Sequence, residues 1–530
     1  RLPSGDELYV EHQGSHAEGC GVRQLHPDRE QLEDRTLDIA RREYVERQHC
    51  PGNIARQFGV LYRSALSMLV AMLLFLLPSS VFAAIQESLP VIDIAFDETQ
   101  FNKDSFIPAS FCLHTDEEEY YYKCEVRHRG AYSLHFEKPS YAIKFLNKEG
   151  KSLDVSFLDM RKDNYWILDA MSSDFSKLRN RVSMDLWLDF SHKPYHQAAE
   201  PKVINGYRGK YVEIYVNGRY DGLYCLMERI DRKQLRLKKF DEDSYHGLLY
   251  KAVDNYNVRT PFFLYQSDEP DDTQKTYDGM QCEYPDVSDG EPSTWQPLRD
   301  NIYFLAAKSG ELFNSRIGEY FDLPVFFDYI LFVDLLYAAD NIGKNLFLWY
   351  YDQASDQRLG ISLWDLDMSW GRNYDGAEIE ATKVLSNKSN FHKRFLSYYD
   401  GYTKILEDRY AELRASFWDE TVLCARFDAY FALLDESEAW LREQSRWSGH
   451  GINLTALKSE QNYIHHWIHD RLAFLDGVYH YHSPMGIQDV QFNPSSTVTY
   501  DLMGRKVDGQ RSSGFQIQVS LDRNQITIVK

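Results

Sequence analysis

The chain has 530 residues, 80 of them acidic and 59 basic, with a formal net charge of −21 and apolar and aromatic shares of 43% and 15%. That length asks for two or more domains, and the apolar share excludes a disordered chain. The negative balance excludes duplex nucleic acid and an anionic membrane surface as main partners, because both attract basic proteins.

Residues 1–63 are polar without clean periodicity and read as a non-native or overextended N-terminal segment with no function of its own. A run at 65–77 (ALSMLVAMLLFLL) follows Arg63 and precedes Val81-Phe82-Ala83, a small-residue cleavage pattern. This order predicts a secretory signal peptide over 64–83, since a permanent anchor needs roughly 20 apolar residues. The mature chain is then exported, secreted or held at the outer cell surface, and keeps no stable membrane span. Five cysteines follow the signal without a Cys-x-x-Cys pair, so zinc spacing is absent. The choice lies between one disulfide, Cys112 with Cys124, and buried free thiols.

Period-two alternation predicts strands at 90–96, 105–114, 120–128 and 140–146, with turns at 115–119 and at Arg129-Gly130. Leu178, Val182, Leu186 and Phe190, four residues apart, predict a helix over 176–190. Strands at 211–216 and 222–229 flank Asn217-Gly218, the strongest short hairpin signal. Residues 254–297, rich in Asp, Pro, Gln and Thr, read as a long surface insertion. Beyond Pro324 the pattern is mostly helical apart from a strand pair near 346–364, and after Pro484 short strands alternate to the end. A sheet, one helix, a crossover and a helical lobe give an α+β chain with the outline of an atypical protein-kinase-like two-lobe fold, an order that many α+β proteins share, so the residues must decide. Its β-rich N-lobe spans 84–235, its mostly helical C-lobe 236–483, and a small C-terminal β-domain 484–530.

The chemistry concentrates at 340–371. Asp340 and Asn345 stand five apart, as in a kinase catalytic loop, where the Asp positions the attacking hydroxyl and the Asn holds a metal. A strand (LFLWY), a turn and a second strand follow, then Trp364-Asp365-Leu366-Asp367 and Gly371. Magnesium favours hard oxygen donors, and a carboxylate and an amide at adjacent strand ends suit it. The alternative is that Asp340 and Asp365 cap turns; the ordered set of Asp, Asn, hairpin and Asp-x-Asp favours the site.

This run resembles the signature of the CotH (spore coat protein H) kinase family, an Asn-rich catalytic loop, a hairpin and W-D-L-D-x-x-x-G. Arg129-Gly130 with Lys138-Pro139-Ser140-Tyr141, Leu178-Arg179-Asn180-Arg181, and 212–231 (VEIYVNGRYDGLYCLMERID) resemble three further segments of that family. The resemblance spans roughly residues 90–480. It implies an ATP-dependent protein kinase acting on Ser, Thr or Tyr of an exported protein, although the long insertion and the lack of a Gly-rich phosphate loop depart from the pattern.

On that resemblance Asp340 is the base or hydroxyl-orienting residue, and Asn345 and Asp365 are magnesium ligands, with Asp367 competing. Lys144, on the strand after the Arg129-Gly130 turn, and Arg179 are phosphate-contacting candidates, and Glu228 a nucleotide contact or an ion-pair partner of Arg229 or Arg232. His465, His466 and His469 permit a metal reading by spacing, against ordinary surface histidines. The tail, with Tyr500-Asp501-Leu502-x-Gly504-Arg505 and terminal Val529-Lys530, resembles a type IX secretion sorting domain. That implies outer-membrane secretion machinery as a partner. The competing function is a non-catalytic adhesion protein on a kinase-like scaffold.

Overall fold

The computed structural model describes residues 89–482, apart from 117, 131, 241–245, 254–274, 278, 287–294 and 449–453, together with 497–501, 516–520 and 525–529. The leader, the signal run at 64–83 and most of the predicted insertion lie outside the described residues.

β1 (Val91–Phe96), β2 (Ile107–His114), β3 (Glu119–Arg129) and β4 (Ser140–Leu146) are successive antiparallel neighbours, as their alternation predicts. β5 (Tyr165–Asp169) follows, and β6 (Gly209–Val216) and β7 (Arg219–Met227) form the expected hairpin. At its turn Asn217 and Gly218 both take positive φ, 49° and 75°, the backbone that a two-residue turn between right-twisted strands requires.

The seven strands close into a barrel, order β1-β2-β3-β4-β5-β7-β6, because β1 pairs antiparallel with β2 and parallel with β6. This corrects the expected kinase-type β lobe: the region is β-rich but is a closed barrel, with both edges of β1 occupied. Ile92, Ile94, Phe111, Val126, Phe145, Trp166, Ile214 and Leu226 fill its interior as a separate apolar core. Each such burial contributes about 1.5–3 kcal/mol. Cys112 stands opposite Tyr121 and Cys124 opposite Ala109, so the proposed disulfide partners do not meet, and both thiols are free.

α1 (Arg179–Phe190) begins where Asp174 accepts the backbone N–H groups of Ser176, Leu178 and Arg179. Its apolar face leaves the barrel and joins a larger second core, with the Phe190 ring against Phe332 and Trp418. That core packs a five-stranded sheet, order β12-β11-β8-β10-β9, among the remaining helices. The strands are β8 (Leu248–Ala252), β9 (Thr276–Tyr277), β10 (Met280–Tyr284), β11 (Leu346–Tyr350) and β12 (Gly360–Leu363). The helices are α2 (Gln296–Ala307), α3 (Gly310–Arg316), α4 (Leu323–Leu336), α5 (Asn390–Tyr398), α6 (Tyr402–Arg414), α7 (Glu420–Glu436), α8 (Ala439–Arg446) and α9 (Leu454–Val478). α4 is apolar nearly all round and correspondingly buried.

The β11–β12 hairpin falls where its sequence predicts. β9 and β10 differ from expectation: they come from the stretch read as an insertion, and Met280 and Cys282 alternate into the core. β13 (Thr497–Asp501), β14 (Gln516–Ser520) and β15 (Gln525–Val529) form an antiparallel sheet of their own, so the tail is built of strands as expected. Among the described residues no helix is long and apolar enough to cross a membrane.

Candidate active site

Three strand ends meet at one point. Leu346 of β11 lies opposite both Ala252 of β8 and Leu363 of β12. Asn345, one residue before β11, donates its backbone N–H to the Ala252 carbonyl at 3.1 Å, and its own carbonyl accepts the Trp364 N–H at 2.9 Å. Asp365 therefore stands near Asn345 at the same end of the hairpin, and both residues hold φ at 57°. Such left-handed backbone costs a non-glycine residue on the order of 1 kcal/mol and persists only where packing imposes it. Fully buried Asn341 does so, its Nδ2 donating to the carbonyls of Asn345 (3.2 Å) and Trp364 (2.7 Å). Asp340 sits one residue earlier, and its Oδ2 accepts from Asn345 Nδ2 at 3.2 Å and pairs with Lys344 Nζ at 2.7 Å.

The start of α1 holds the segment that follows. Asn180 Oδ1 accepts the Leu366 N–H at 3.0 Å and the Tyr207 hydroxyl at 2.6 Å. Arg179 donates to the Ser369 carbonyl at 3.0 Å. At Gly371, φ is +86°, and a Cβ would stand 2.6 Å from both the Trp467 ring and the Tyr463 hydroxyl, so only glycine fits. The Leu-Arg-Asn-Arg and Trp-Asp-Leu-Asp motifs are thus two halves of one joint.

The barrel contributes the opposite wall. Arg129 ends β3 and Asp169 ends β5, and both act electrostatically on Asp365, as do Asp340 and Lys251 of β8. Burial, then Asp169 and Asp340, push the Asp365 carboxyl up to about 6, with Arg129 and Lys251 opposing. Burial and Asp365 itself raise Asp367 well above the usual carboxylate range. Asp367 is already engaged: Ser173 Oγ donates to one oxygen and the Met368 N–H to the other at 2.8 Å. No hydrogen bond reaches the Asp365 carboxylate from the described residues. Arg129 lies over the Trp364 ring at 5.4 Å and Lys251 over Phe347 at 5.7 Å, and neither has a carboxylate within ion-pair distance among the described residues. Burial lowers the Lys251 ammonium.

The structure brings Asp340, Asn345, Asp365 and Asp367 together and leaves three other expected residues elsewhere. Lys144 lies on β4 with its ammonium 4.2 Å from the Phe106 ring and 6.0 Å from Tyr165, while its neighbours Ile143 and Phe145 point into the barrel core. Arg179, expected to clamp phosphate, is fully buried, and its N–H groups go to Asp174, Ser176, Glu460 and the Ser369 and Trp370 carbonyls. It has no donor to offer a ligand. Glu228 is buried and accepts from Arg208, the Arg161 N–H and Gln234, so its partner is Arg208 rather than Arg229 or Arg232. His465 and His469 pair with Asp428 and Glu420, and His466 bonds the Asn462 carbonyl.

Sequence reasoning missed Lys251 and Asp169 and gave Arg129 no role. Arg129 at least stood in a quoted motif. Lys251 had no local signal, because its place follows from β8 pairing with β11 far along the chain.

The donor set, two hard oxygens at adjacent strand ends, fits part of the shell of a divalent cation. With respect to the described residues, Asp365 offers an uncommitted carboxylate in a place where negative charge is in surplus, and Asn345, whose Nδ2 is bound to Asp340, has no partner on its amide oxygen. Among the described residues no three His, Cys, Asp or Glu side chains form a complete cation cage. Magnesium needs none, since it commonly takes one or two protein oxygens and fills its shell with phosphate and water.

Two comparisons bear on this geometry. The chain is similar to "Inner spore coat protein H" of Bacillus subtilis (strain 168), 22% identical over 317 residues, which are 59% of this chain and 78% of that protein. The family described as CotH kinase protein matches residues 126–475, which take in Arg129, Asp169, Lys251 and the whole of 340–371. With well over half of its length matched, the chain belongs to the CotH kinase protein family.

Proposed function

We propose that this protein is an atypical protein kinase that transfers the ATP γ-phosphate to a Ser, Thr or Tyr hydroxyl of an exported protein. Family membership supports a kinase-like protein, and one observation carries the finer reading. The Asp365 carboxylate, which accepts no hydrogen bond from the described residues, lies in the field of Arg129 and Lys251, neither of which has an ion-pair partner among the described residues, beside the Asp340–Asn345 loop. An adhesion module has no use for that arrangement.

In this reading Asp340 orients the attacking hydroxyl and takes its proton. Asp365 and the Asn345 amide oxygen would hold magnesium, which when bound with ATP neutralises phosphate charge and polarises the transferring group. Asp367, engaged by Ser173 and Met368, shapes the turn. Arg129 and Lys251 replace Lys144 and Arg179 as the phosphate-contacting cations. Calorimetry of the full chain with ATP and magnesium, beside a radiolabel transfer assay, tests the proposal; a chain that neither binds nucleotide nor transfers phosphate sinks it.

A second reading has support in the spore-coat relative: a surface-layer protein that uses this scaffold without catalysis. It predicts correct surface placement for an Asp340→Asn chain and no phosphate on any neighbour.

Export and sorting complete the proposal. If 64–83 is a signal peptide, secreted material begins at Ala84, and N-terminal sequencing that starts upstream of residue 64 overturns it. The 84–235 and 236–483 lobes act as one catalytic body and 484–530 as a sorting tail for outer-membrane secretion machinery. Deleting the tail should leave activity and misplace the protein; unchanged delivery refutes the sorting role.

A further inference from the structure

Asp340 is buried, and one of its two carboxylate oxygens is doubly held. Oδ2 meets Lys344 Nζ at 2.7 Å and accepts from Asn345 Nδ2 at 3.2 Å, whereas Oδ1 accepts no hydrogen bond from the described residues. The same loop closes on itself, the Lys344 N–H donating to the Asp340 carbonyl at 3.1 Å. Among the described residues Asp340 is the ion-pair partner of Lys344, whose side chain is 28% exposed.

We infer that Lys344 is a positioning residue for Asp340, fixing Oδ2 so that Oδ1 alone is presented to the incoming hydroxyl. The inference rests on the phosphoryl-transfer reading above. A carboxylate turns freely about its last torsion, which has broad minima. Asp365 acts on the same space with like charge, and an untethered Asp340 would swing from it. A neutral amide such as Asn345 gives direction without offsetting that repulsion. A cation on the same oxygen gives both, and the orientation then exists before the substrate arrives, so nothing has to reorganise during transfer. Because the lysine is partly exposed and Asp340 keeps its bond to Asn345, removing the lysine should cost the fold less than stranding a fully buried, otherwise unbonded carboxylate would.

The experiment uses the full chain with Lys344→Met, Lys344→Arg, Asp340→Asn and the Asp340→Asn/Lys344→Met pair, measuring kcat, KM for ATP with magnesium, nucleotide binding by calorimetry, and Tm. Lys344→Met should lose about tenfold or more in kcat, the cost of a misplaced catalytic group. Its KM and its ATP–magnesium affinity should stay within about twofold, because binding is not what the lysine serves. Lys344→Arg should recover most of the loss. On the residual rate the double variant should lose no more than Asp340→Asn alone, since the lysine then has nothing to position.

Multiplying losses, or a raised KM at constant kcat, would show that Lys344 contacts the nucleotide itself and would overturn the inference. Failure of arginine to rescue, or a collapse of Tm in Lys344→Met, assigns it a structural role and does the same. A parent chain that transfers no phosphate removes the phosphoryl-transfer reading together with this one. An active parent matched by Lys344→Met removes the Lys344 role alone.

Discussion

Two sets of charges, one buried and one half-buried, flank the segment from Trp364 to Gly371, and they are arranged on opposite principles. On one side Arg179 is saturated: Asp174 and Glu460 neutralise it, and Glu460 also pairs with Arg372. On the other side Asp365 accepts no hydrogen bond from the described residues, and Arg129 and Lys251 stand near it without closing an ion pair. A buried charge is costly unless paired. The first set meets that condition inside the protein and is scaffold. The second leaves charge of both signs uncommitted, which is what a site awaiting an ionic ligand requires.

The largest expected effect lies on the scaffold side. Arg179→Met should destabilise the fold by about 3–5 kcal/mol, because it strands the buried carboxylates of Asp174 and Glu460. Urea unfolding reads this directly, and a stable Arg179→Met chain with weakened nucleotide binding would return Arg179 to the phosphates and break the comparison.

On the other side Asp340→Asn should keep ATP–magnesium binding and lose turnover on the order of 10²-fold. Arg129→Met and Lys251→Met sharpen the contrast: each should weaken ATP–magnesium binding by about tenfold, the loss of one charge-assisted contact, with little change in unfolding free energy. If these two unfold the protein and spare binding, they belong to the scaffold.

A pH test separates the sides again. The Asp365 carboxyl is raised to about 6, so the folded state favours its protonated form. Its contribution to stability is therefore present at low pH and is lost as pH rises through about 6. A magnesium–nucleotide complex that takes the ionised carboxylate should offset that loss. The Tm gain from ATP and magnesium should be larger at pH 7 than at pH 5, and Asp365→Asn should remove the difference. An equal gain at both pH values in the parent would argue that Asp365 holds no cation.

The smallest effect is expected at Lys144. Lys144→Met should leave nucleotide binding unchanged and cost about 0.5–1 kcal/mol of stability, the worth of its exposed contact with the Phe106 ring. A tenfold loss of nucleotide affinity there would restore the lysine to the site.

Much of this was legible locally. The β6–β7 turn, the α1 face and the β11–β12 hairpin follow from Asn-Gly chemistry and from periods of 3.6 and 2, which neighbouring residues alone satisfy. Asp340, Asn345, Asp365 and Asp367 came together because one short loop and one hairpin carry all four. Lys144 and Arg179 were misplaced for a common reason: a side chain's spacing fixes its face on an element, and the next element to cover that face decides what it meets. β4 turns Lys144 to the flank with Phe106 and Tyr165, and Glu460 of α9, 281 positions away, takes Arg179.

The sequence by itself determined the α+β order, the strands and helix that motif spacing marks, and the acidic loop–hairpin pair on which the proposed chemistry rests, because those depend on contacts within one or two turns of chain. Only the tertiary structure decided that the β-rich region closes as a barrel, through β1 meeting β6. It alone set Arg129, Asp169 and Lys251 around Asp365, and it sorted the charged residues into paired and unpaired. Charge compensation is a property of neighbours in space, and the pairing of distant strand ends that creates those neighbours leaves no mark in any local stretch of sequence.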